Sequence, residues 1–405
     1  MAQHIETDVL IIGGGLVGGT LACALAQSGV KAVAVDLDPP ATQLEPIYDG
    51  RSSAISLSSQ RVLETVGIWR YMTEGAAAID EIRVTDGNSP LFLHYDHKEV
   101  GDDPLGWIAE NRVMRHGIFQ RFTELDDAVL LAPAKLKSYE RGPDGVRAEM
   151  ADGTTVSAAL LVGADGRKSR IREDAGIGLA FFDYHQTGIV LTVAHEKPHN
   201  NVAQEHFLPS GPFAILPLPG NRSSIVWTEK NHLIPTFMAM DDETFMSELK
   251  SRFGDFLGEI EVIGPRFAYP LTIQFADAYI APRLALVGDA AHGMHPIAGQ
   301  GMNMGVRDVA ALTEILVEAK RLGLDLGSTA VLERYPRWRR FDNWAMLALT
   351  DVLNRLFSND IAPIRIARDI GLAVVNKIPP LRKTLMRHAM GVVGDLPKLM
   401  RGEML

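Results

Sequence analysis

An acidic residue among small residues marks the part of the chain with the clearest chemistry. The chain reads ALVGDAAHGMHPIAGQGMN from Ala285 to Asn303. A buried-strand pattern leads to Gly288 and Asp289, and Gly299-Gln300-Gly301 is typical of the start of a helix. Small residues let a backbone approach a planar cofactor, an aspartate accepts hydrogen bonds from sugar-like hydroxyls, and helix N-terminal amides stabilise negative charge. These features favour a flavin, although the segment alone also fits an ordinary strand-to-helix connection.

A second glycine motif lies near the N-terminus. An apolar run ends at Ile12 and leads into Gly13-Gly14-Gly15-Leu16-Val17-Gly18, then an apolar helix pattern, a second apolar run and Asp36. This order of strand, GxGxxG turn, helix, strand and acid predicts a dinucleotide site. The glycines permit a tight turn close to a pyrophosphate, and the acid is placed to bond a ribose hydroxyl.

The same region has the length of a membrane span, because no charged residue occurs from Val9 to Val30. Five glycines within seven positions would make a poor helix, whereas the strand-turn-helix interpretation uses them. Glu6 and Asp8 also differ from the basic start of a signal peptide. We therefore expect a soluble, cytoplasmic protein.

A third motif runs from Leu160 to Arg170, where a strand pattern enters an acidic turn at Asp165 and then a basic helix start. Taken alone, it also fits a surface turn, because Asp-Gly is a common turn dipeptide. The GxGxxG, GADG and GD…HPxxGQG motifs, in this order, resemble the three fingerprints of the group A flavoprotein monooxygenases, whose fold is that of para-hydroxybenzoate hydroxylase.

The resemblance is closest to the ubiquinone-biosynthesis hydroxylases of that group, and it covers nearly the whole chain. It rests on four segments: DGRSSAIS from Asp49, ENRVMRHGIFQRF from Glu110, FLPSGPFAILPLPGNRSSIVWTE from Phe207 and GDAAHGMHPIAGQGMNMGVRDVAAL from Gly288. The resemblance implies an FAD-dependent monooxygenase that uses O2 to hydroxylate a polyprenylated phenol through a flavin C4a-hydroperoxide. The electron donor, NAD(P)H or a ferredoxin-type protein, stays open.

Alternative functions also stay open. A flavin-dependent halogenase would need a WxWxIP motif, but Trp227 is followed by Thr228-Glu229. A reductase of isoprenoid double bonds, a hydroxylase of another apolar substrate and a non-catalytic accessory flavoprotein of a quinone-synthesis assembly are the other candidates.

The motifs and the resemblance together assign roles to individual residues. Arg112 resembles the family's pyrophosphate arginine, and Asp165 is expected to support both FAD and reductant binding. Arg51 contacts or gates the flavin, or is a surface arginine. The cofactor-binding candidates are Gly13, Gly15, Gly18, Asp36, Arg112, Asp165, Gly288, Asp289, Gly299, Gly301, Met302 and Asn303, and the catalytic candidates are Arg51, His295 and Pro296.

A metal site is not expected. His292 and His295 have no acidic or histidine partner at ligand spacing, and Pro296 beside His295 is expected to shape the flavin face. The single cysteine, Cys23, excludes an internal disulfide and a cysteine-based metal site.

Charge is unevenly spread along the chain. A net charge of −10 argues against nucleic-acid binding. Residues 331–405 nevertheless contain 13 Lys/Arg against 7 Asp/Glu, a net charge of +6. This basic, partly apolar tail predicts either a peripheral contact with an anionic membrane or a helical lid that could also bind other biosynthetic enzymes. The oligomeric state stays open.

The predicted fold class is α/β, a Rossmann-like FAD-binding domain with an inserted β-sheet substrate domain and a helical C-terminal region. We expect residues 1–75, 105–180 and 271–335 in the FAD-binding domain, 76–104 and 181–270 in the substrate domain, and 336–405 in the helical region. A hairpin in the substrate sheet is predicted from Phe213–Leu218 and Ser223–Thr228, with Pro217 at an edge or a bulge. We expect the apolar walls of the substrate pocket to come from Phe213–Leu218 and Met294–Ile297.

Overall fold

A computed structural model describes residues 3–86, 92–294, 300–339 and 376–405. The strands are β1 His4–Ile12, β2 Ala32–Val35, β3 Ser52–Ser56, β4 Ala76–Ile79, β5 Glu81–Asp86, β6 Phe92–Asp96, β7 Gly106–Glu110, β8 Ala128–Leu131, β9 Leu136–Gly142, β10 Gly145–Met150, β11 Thr155–Gly163, β12 Leu179–His195, β13 Val202–Leu208, β14 Gly211–Leu218, β15 Arg222–Lys230, β16 Ile260–Ala276, β17 Ile280–Ala281, β18 Leu284–Leu286 and β19 His292–Gly293. The helices are α1 Leu16–Gln27, α2 Pro40–Gln43, α3 Leu57–Thr65, α4 Asn111–Phe122, α5 Arg170–Asp174, α6 Ile234–Ala239, α7 Asp242–Phe253, α8 Gln300–Arg321, α9 Thr329–Leu332 and α10 Pro379–Ala389.

The first sheet has a parallel core in the order β18-β11-β1-β2-β8. Val9, Leu10 and Ile11 of β1 are fully buried, because both faces of a parallel sheet are covered. Helices α1, α4 and α8 contribute to the same hydrophobic core. The predicted strand-turn-helix unit and the α/β fold class are confirmed.

The second sheet has the order β19-β16-β12-β15-β14-β13-β5-β6. Helices α6 and α7 cover one of its faces. Trp227 is the centre of that contact, with its ring centroid 4.7 Å from that of Phe237 and 5.6 Å from that of Phe245. The opposite face is therefore the one available to the rest of the molecule.

The predicted hairpin is confirmed, since β14 and β15 pair antiparallel from Phe213↔Trp227 to Leu218↔Arg222. Strand β14 lies inside the sheet, not at its edge. Pro217 is accommodated there because the pairing of β14 with β13 ends at Ile215. Phe213 packs in the cluster with α6 and α7, whereas Leu216 and Leu218 pack on the other face, so the predicted pocket wall divides between two faces of the sheet.

A small third sheet, β3-β7-β4, joins segments that the sequence assigned to two different domains. β4 pairs with β7 of the FAD-binding segments. The division into FAD-binding, substrate and C-terminal domains therefore stays a prediction.

The described part of the C-terminal region packs onto this junction. Met386 of α10 is fully buried in a cluster with Leu57, Ile108 and Leu218, and Arg382 donates a 2.6 Å hydrogen bond to Glu99. Among the described helices, none is both long and apolar enough to cross a membrane.

Candidate cofactor and active site

The three sequence motifs meet at one end of the first sheet. Gly13, Ala164 and Gly288 follow the carboxyl ends of the adjacent strands β1, β11 and β18. Backbone hydrogen bonds join these ends, from Ala164 N to Ile12 O at 2.8 Å and from Val287 N to Gly163 O at 3.0 Å. The carboxyl edge of a parallel sheet is where such folds bind ligands.

The glycines of the first motif have different physical roles. Gly13 has a φ of +106°, and a Cβ there would lie 2.3 Å from Ala164 O. A Cβ at Gly18 would lie 1.9 Å from Gly13 O. These two glycines allow close packing of the turn. At Gly15, in contrast, a Cβ would have no atom of a described residue within 4 Å apart from its chain neighbours.

This open position adjoins the N-terminus of α1, where no side chain caps the helix. First-turn amides are therefore available to a phosphate group. Asp36 follows β2 beside the turn, since a Cβ on Gly14 would lie 3.2 Å from Asp36 Cβ. Burial raises the pKa of the Asp36 carboxyl, although backbone amides offset part of that shift.

Arg167 links the second motif to the third. Its guanidinium donates to Asp289 Oδ2 at 3.2 Å, to Thr272 Oγ1 at 2.6 Å and to Met294 O at 2.8 Å. Arg167 therefore holds the carboxylate predicted to bind the ribityl chain. Arg167 lies within the motif from Leu160 to Arg170, but the sequence motif predicted no role for it.

The Asp165 carboxylate stabilises the turn between β11 and α5. Its Oδ2 accepts a hydrogen bond from Ile171 N at 3.1 Å, which fixes the start of α5. Its Oδ1 is buried and has no hydrogen-bond partner among the described residues. A buried oxygen without a partner is a position where a ligand hydroxyl or amide would be stabilised.

The helix predicted after Gly299 begins at Gln300, so Gly301, Met302 and Asn303 lie in its first turn. The side chain of Asn303 accepts a 2.9 Å hydrogen bond from Ser56 N, which joins α8 to β3. The remaining candidates of this loop, His295, Pro296 and Gly299, lie outside the described residues.

His292 has an acidic partner that sequence spacing did not reveal. Its Nε2 lies 2.6 Å from Asp308 Oδ2, and Arg339 Nε donates to Asp308 Oδ1 at 2.9 Å. Asp308 lies 16 positions from His292, outside the ligand spacing that the sequence prediction considered. The sequence did carry a signal, since Asp308 lies four residues after Met304 among the apolar residues of α8. No group of three potential metal ligands occurs in the described ranges.

Arg51 is held by two contacts. It forms an ion pair with Asp49 at 2.8 Å, and its guanidinium carbon lies 4.8 Å from the centre of the Tyr269 ring. Burial alone would raise the pKa of the Asp49 carboxyl, but hydrogen bonds from Arg51, Asn111 and Arg115 hold it well below its usual range. Half of the Arg51 side chain is exposed, so a flavin contact and a surface position both remain compatible with it.

Arg112 is paired with Glu110 at 2.9 Å, at the start of α4. Its pyrophosphate role stays a prediction.

The residues of this edge fit FAD. The space over Gly15 and the uncapped helix suit a pyrophosphate, Asp36 suits a ribose, and Asp289 follows Gly288, which packs beside Gly305 of α8. The buried Asp165 oxygen without a partner adds a polar contact at the same edge.

Comparisons with known proteins agree with this geometry. The FAD binding domain family matches residues 6–350. The chain is 56% identical over 398 residues to the ubiquinone hydroxylase UbiL of Rhodospirillum rubrum, covering 98% of this chain and 92% of that protein. It is 34% identical over 387 residues to the 3-demethoxyubiquinol 3-hydroxylase of Escherichia coli (strain K12), covering 95% and 99%.

Solved structures show the same fold at low identity. The p-nitrophenol 4-monooxygenase PnpA from Pseudomonas putida DLL-E4 superposes with a TM-score of 0.81 at 19% identity, covering 97% of this chain and all of that one. PqsL from Pseudomonas aeruginosa, a probable FAD-dependent monooxygenase, gives a TM-score of 0.75 at 22% identity, covering 91% and 99%.

Proposed function

The chain belongs to the FAD-dependent ubiquinone-biosynthesis hydroxylases of the group A flavoprotein monooxygenases, and on this premise we propose that it hydroxylates the ring of a polyprenylated phenol. In this reaction one atom of O2 enters the ring as a hydroxyl group and the other leaves as water. Two electrons and two protons are consumed.

Within this proposal, Gly13, Gly15, Gly18 and Asp36 hold the adenosine diphosphate half of FAD. Asp289 holds the ribityl chain, with Arg167 fixing its carboxylate. Backbone amides of Gly301, Met302 and Asn303 face the isoalloxazine. When bound, FAD supplies the redox chemistry that the protein's own side chains lack.

The protein must also hold the phenol ring and exclude water. Leu216 and Leu218 of β14 lie in a hydrophobic cluster with Leu57, Ile79 and Ile108, between the second and third sheets. This apolar wall suits the prenylated part of the substrate. We place the reacting ring between it and the carboxyl edge of the first sheet.

The electron donor in this proposal is NAD(P)H or a ferredoxin-type protein. We further propose that α10 brings the enzyme to an anionic membrane surface, where a polyprenylated phenol resides. Lys377, Arg387, Ile378 and Leu381 are all exposed on or beside that helix. Contact with other quinone-biosynthesis enzymes is the competing role of the same surface.

The observation that supports the proposal most is the convergence of three motifs on one sheet edge with open space over Gly15. Its test is oxygen uptake by the purified, FAD-loaded protein with NADH, NADPH or reduced ferredoxin and the short-chain substrate 2-prenylphenol. Hydroxylated product in step with oxygen uptake supports the proposal. Reduction of the prenyl double bond without oxygen uptake, or no turnover with any donor in a protein that binds FAD, contradicts it.

A further inference from the structure

The second sheet turns one face toward the FAD-binding elements. Its other face is covered by α6 and α7. On the face that α6 and α7 do not cover, Phe267 of β16 lies against Gly50, where an added Cβ would be 2.1 Å from the Phe267 ring. Tyr269 lies under the Arg51 guanidinium. This face, which we call the inner face, therefore adjoins the loop that carries Arg51.

Strand register places Glu205 on the inner face. Phe267 pairs with Val190, Val190 with Val226, Val226 with Ala214, and Ala214 with Glu205. Side chains of directly paired residues in a sheet point to the same side. Glu205 is thus the acidic member of a row whose other members, Phe267, Val190, Val226 and Ala214, are apolar.

Part of this row is accessible to solvent. Val226, Val84 and Glu205 are only partly buried, whereas Val190 and Ala214 are buried. The Glu205 carboxyl can therefore be reached by a small polar group.

No hydrogen bond or ion pair joins the Glu205 side chain to another residue in the described part of the chain. Desolvation by burial raises the pKa of its carboxyl to about 7. An acid without a protein partner on this face is a candidate for ligand contact. A carboxyl that changes protonation state near neutral pH is also suited to proton transfer.

The cations that border the inner face have acidic partners. Arg51 pairs with Asp49, and Arg222 lies 3.7 Å from Glu110, which also accepts from Arg112. A substrate carboxylate next to Glu205 would be repelled by the ionised form of that residue. A neutral ring bearing a hydroxyl group fits this environment better.

We propose that Glu205 accepts a hydrogen bond from the phenolic hydroxyl of the substrate and takes its proton during hydroxylation. The O–H bond of the phenol breaks, the proton moves to a carboxylate oxygen of Glu205, and the electron pair stays on the phenolic oxygen. The ring becomes more electron-rich and reacts more readily with an electrophilic oxygen. The assignment rests on the proposed function, because it requires a phenol as substrate.

The test compares Glu205→Gln with the wild-type protein, using 2-prenylphenol and a ring-fluorinated 2-prenylphenol whose hydroxyl is more acidic. Removing a general base lowers rates by about 10²- to 10⁴-fold. We expect kcat of Glu205→Gln with 2-prenylphenol to fall in that range. The fluorinated phenol should recover much of the loss, because it ionises with less help.

The pH profile separates proton transfer from a packing role. In the wild-type protein, kcat should rise with pH through the region near 7, where Glu205 ionises. In Glu205→Gln the rise in kcat near pH 7 should disappear, and kcat should follow the ionisation of the phenol instead. Glu261→Gln, which removes an exposed acid from the same sheet, is the matched control and should keep the wild-type profile.

Unchanged kcat and pH profile in an FAD-loaded Glu205→Gln protein would overturn the inference while leaving the proposed function intact. If the wild-type protein hydroxylates no phenol, the proposed function fails instead. Should Glu205→Gln not fold, Glu205→Asp takes its place, since it keeps a carboxylate but moves it by one methylene. Glu205→Asp should show a lower kcat that still rises with pH near 7. A wild-type kcat in that variant would contradict the assignment.

Discussion

Asp308 lies 2.6 Å from His292 through Oδ2 and Nε2, and both side chains are almost completely buried. The same carboxylate oxygen accepts a 2.9 Å hydrogen bond from Gly288 N, and its other oxygen accepts from Arg339. A single acid of α8 therefore holds the turn that presents Asp289. This arrangement links the helix predicted to face the isoalloxazine with the acid predicted to bind the ribityl chain.

We expect Asp308→Ala to reduce the free energy of unfolding by about 3–5 kcal/mol, because it leaves His292 and Arg339 buried without their acid. Urea unfolding at pH 7, followed by circular dichroism, measures the change. Asp102→Ala, at an exposed position, is the control and should shift stability by less than about 0.5 kcal/mol. Equal stability of the two variants would show that the buried network contributes little.

The same network predicts a pH dependence. Burial by itself raises the pKa of the Asp308 carboxyl, but His292 and Arg339 outweigh burial and lower it below the usual value. A lowered folded-state pKa gives stability that is present above the unfolded-state pKa of about 3.9 and is lost as pH falls further. Asp308→Asn should therefore lose less stability than wild type between about pH 4 and the acid-unfolding limit. Parallel stability curves over that range would contradict this prediction.

Gly15→Val should give a folded protein that does not retain FAD. Apart from its chain neighbours, no residue that the structure describes lies within 4 Å of a Cβ at this position, so the substitution fills the space assigned to the pyrophosphate without straining the fold. The ratio of flavin to protein absorbance after purification measures retention. Gly101→Val, another glycine with open space around its Cβ, is the control and should stay yellow. Normal flavin content in Gly15→Val would remove the turn from the cofactor site.

Local patterns allowed much of the fold to be predicted. The apolar run before Gly13, the helix that begins at Gln300 and the β14–β15 hairpin each depend on neighbouring residues, so periodicity and turn chemistry were sufficient. Pro217 was predicted at an edge or a bulge because sequence does not tell where pairing with a neighbouring strand stops.

Contacts between distant segments could not be predicted in the same way. Arg167 meets Asp289 across 122 positions, and Glu205 reaches the inner face only through the register of four strand pairs. A one-residue shift in register would place it on the face covered by α6 and α7. Tertiary packing determines which side chains meet and which face of a sheet they occupy.

Asp289→Ala should weaken FAD binding by about 10- to 150-fold while the protein stays folded, since one hydrogen bond to a charged group contributes about 1.5–3 kcal/mol. Arg167 would keep its contacts with Thr272 and Met294, which preserves the local structure. Titration of the apoprotein with FAD, followed by flavin fluorescence, gives the affinity. Asp289→Asn, which retains one acceptor oxygen, should lie between Ala and wild type. An unchanged affinity in Asp289→Ala would assign the ribityl contact to another residue.

The final prediction concerns binding of α10 and its flank to anionic vesicles. Replacing Lys377, Lys383 and Arg387 by Gln removes three basic residues beside the exposed Ile378 and Leu381. Each basic residue near an anionic surface contributes about 1 kcal/mol, so the triple variant should bind about 150-fold more weakly. Flotation with phosphatidylserine-containing vesicles at low and high salt measures this binding.

These substitutions test membrane binding by the basic tail without the loss of buried residues that deletion of residues 341–405 would cause. Deletion would also remove Met386, Leu399 and Met400, which are buried in the hydrophobic clusters, and would confuse unfolding with loss of a membrane contact. Lys135, Lys137 and Arg147, exposed on or beside β9 and β10, provide a control triple substitution to Gln with the same change in net charge. If both triple variants float as the wild type does, the basic tail does not determine membrane binding. If the wild type never floats but co-purifies with other biosynthetic enzymes, the exposed side of α10 is a protein interface.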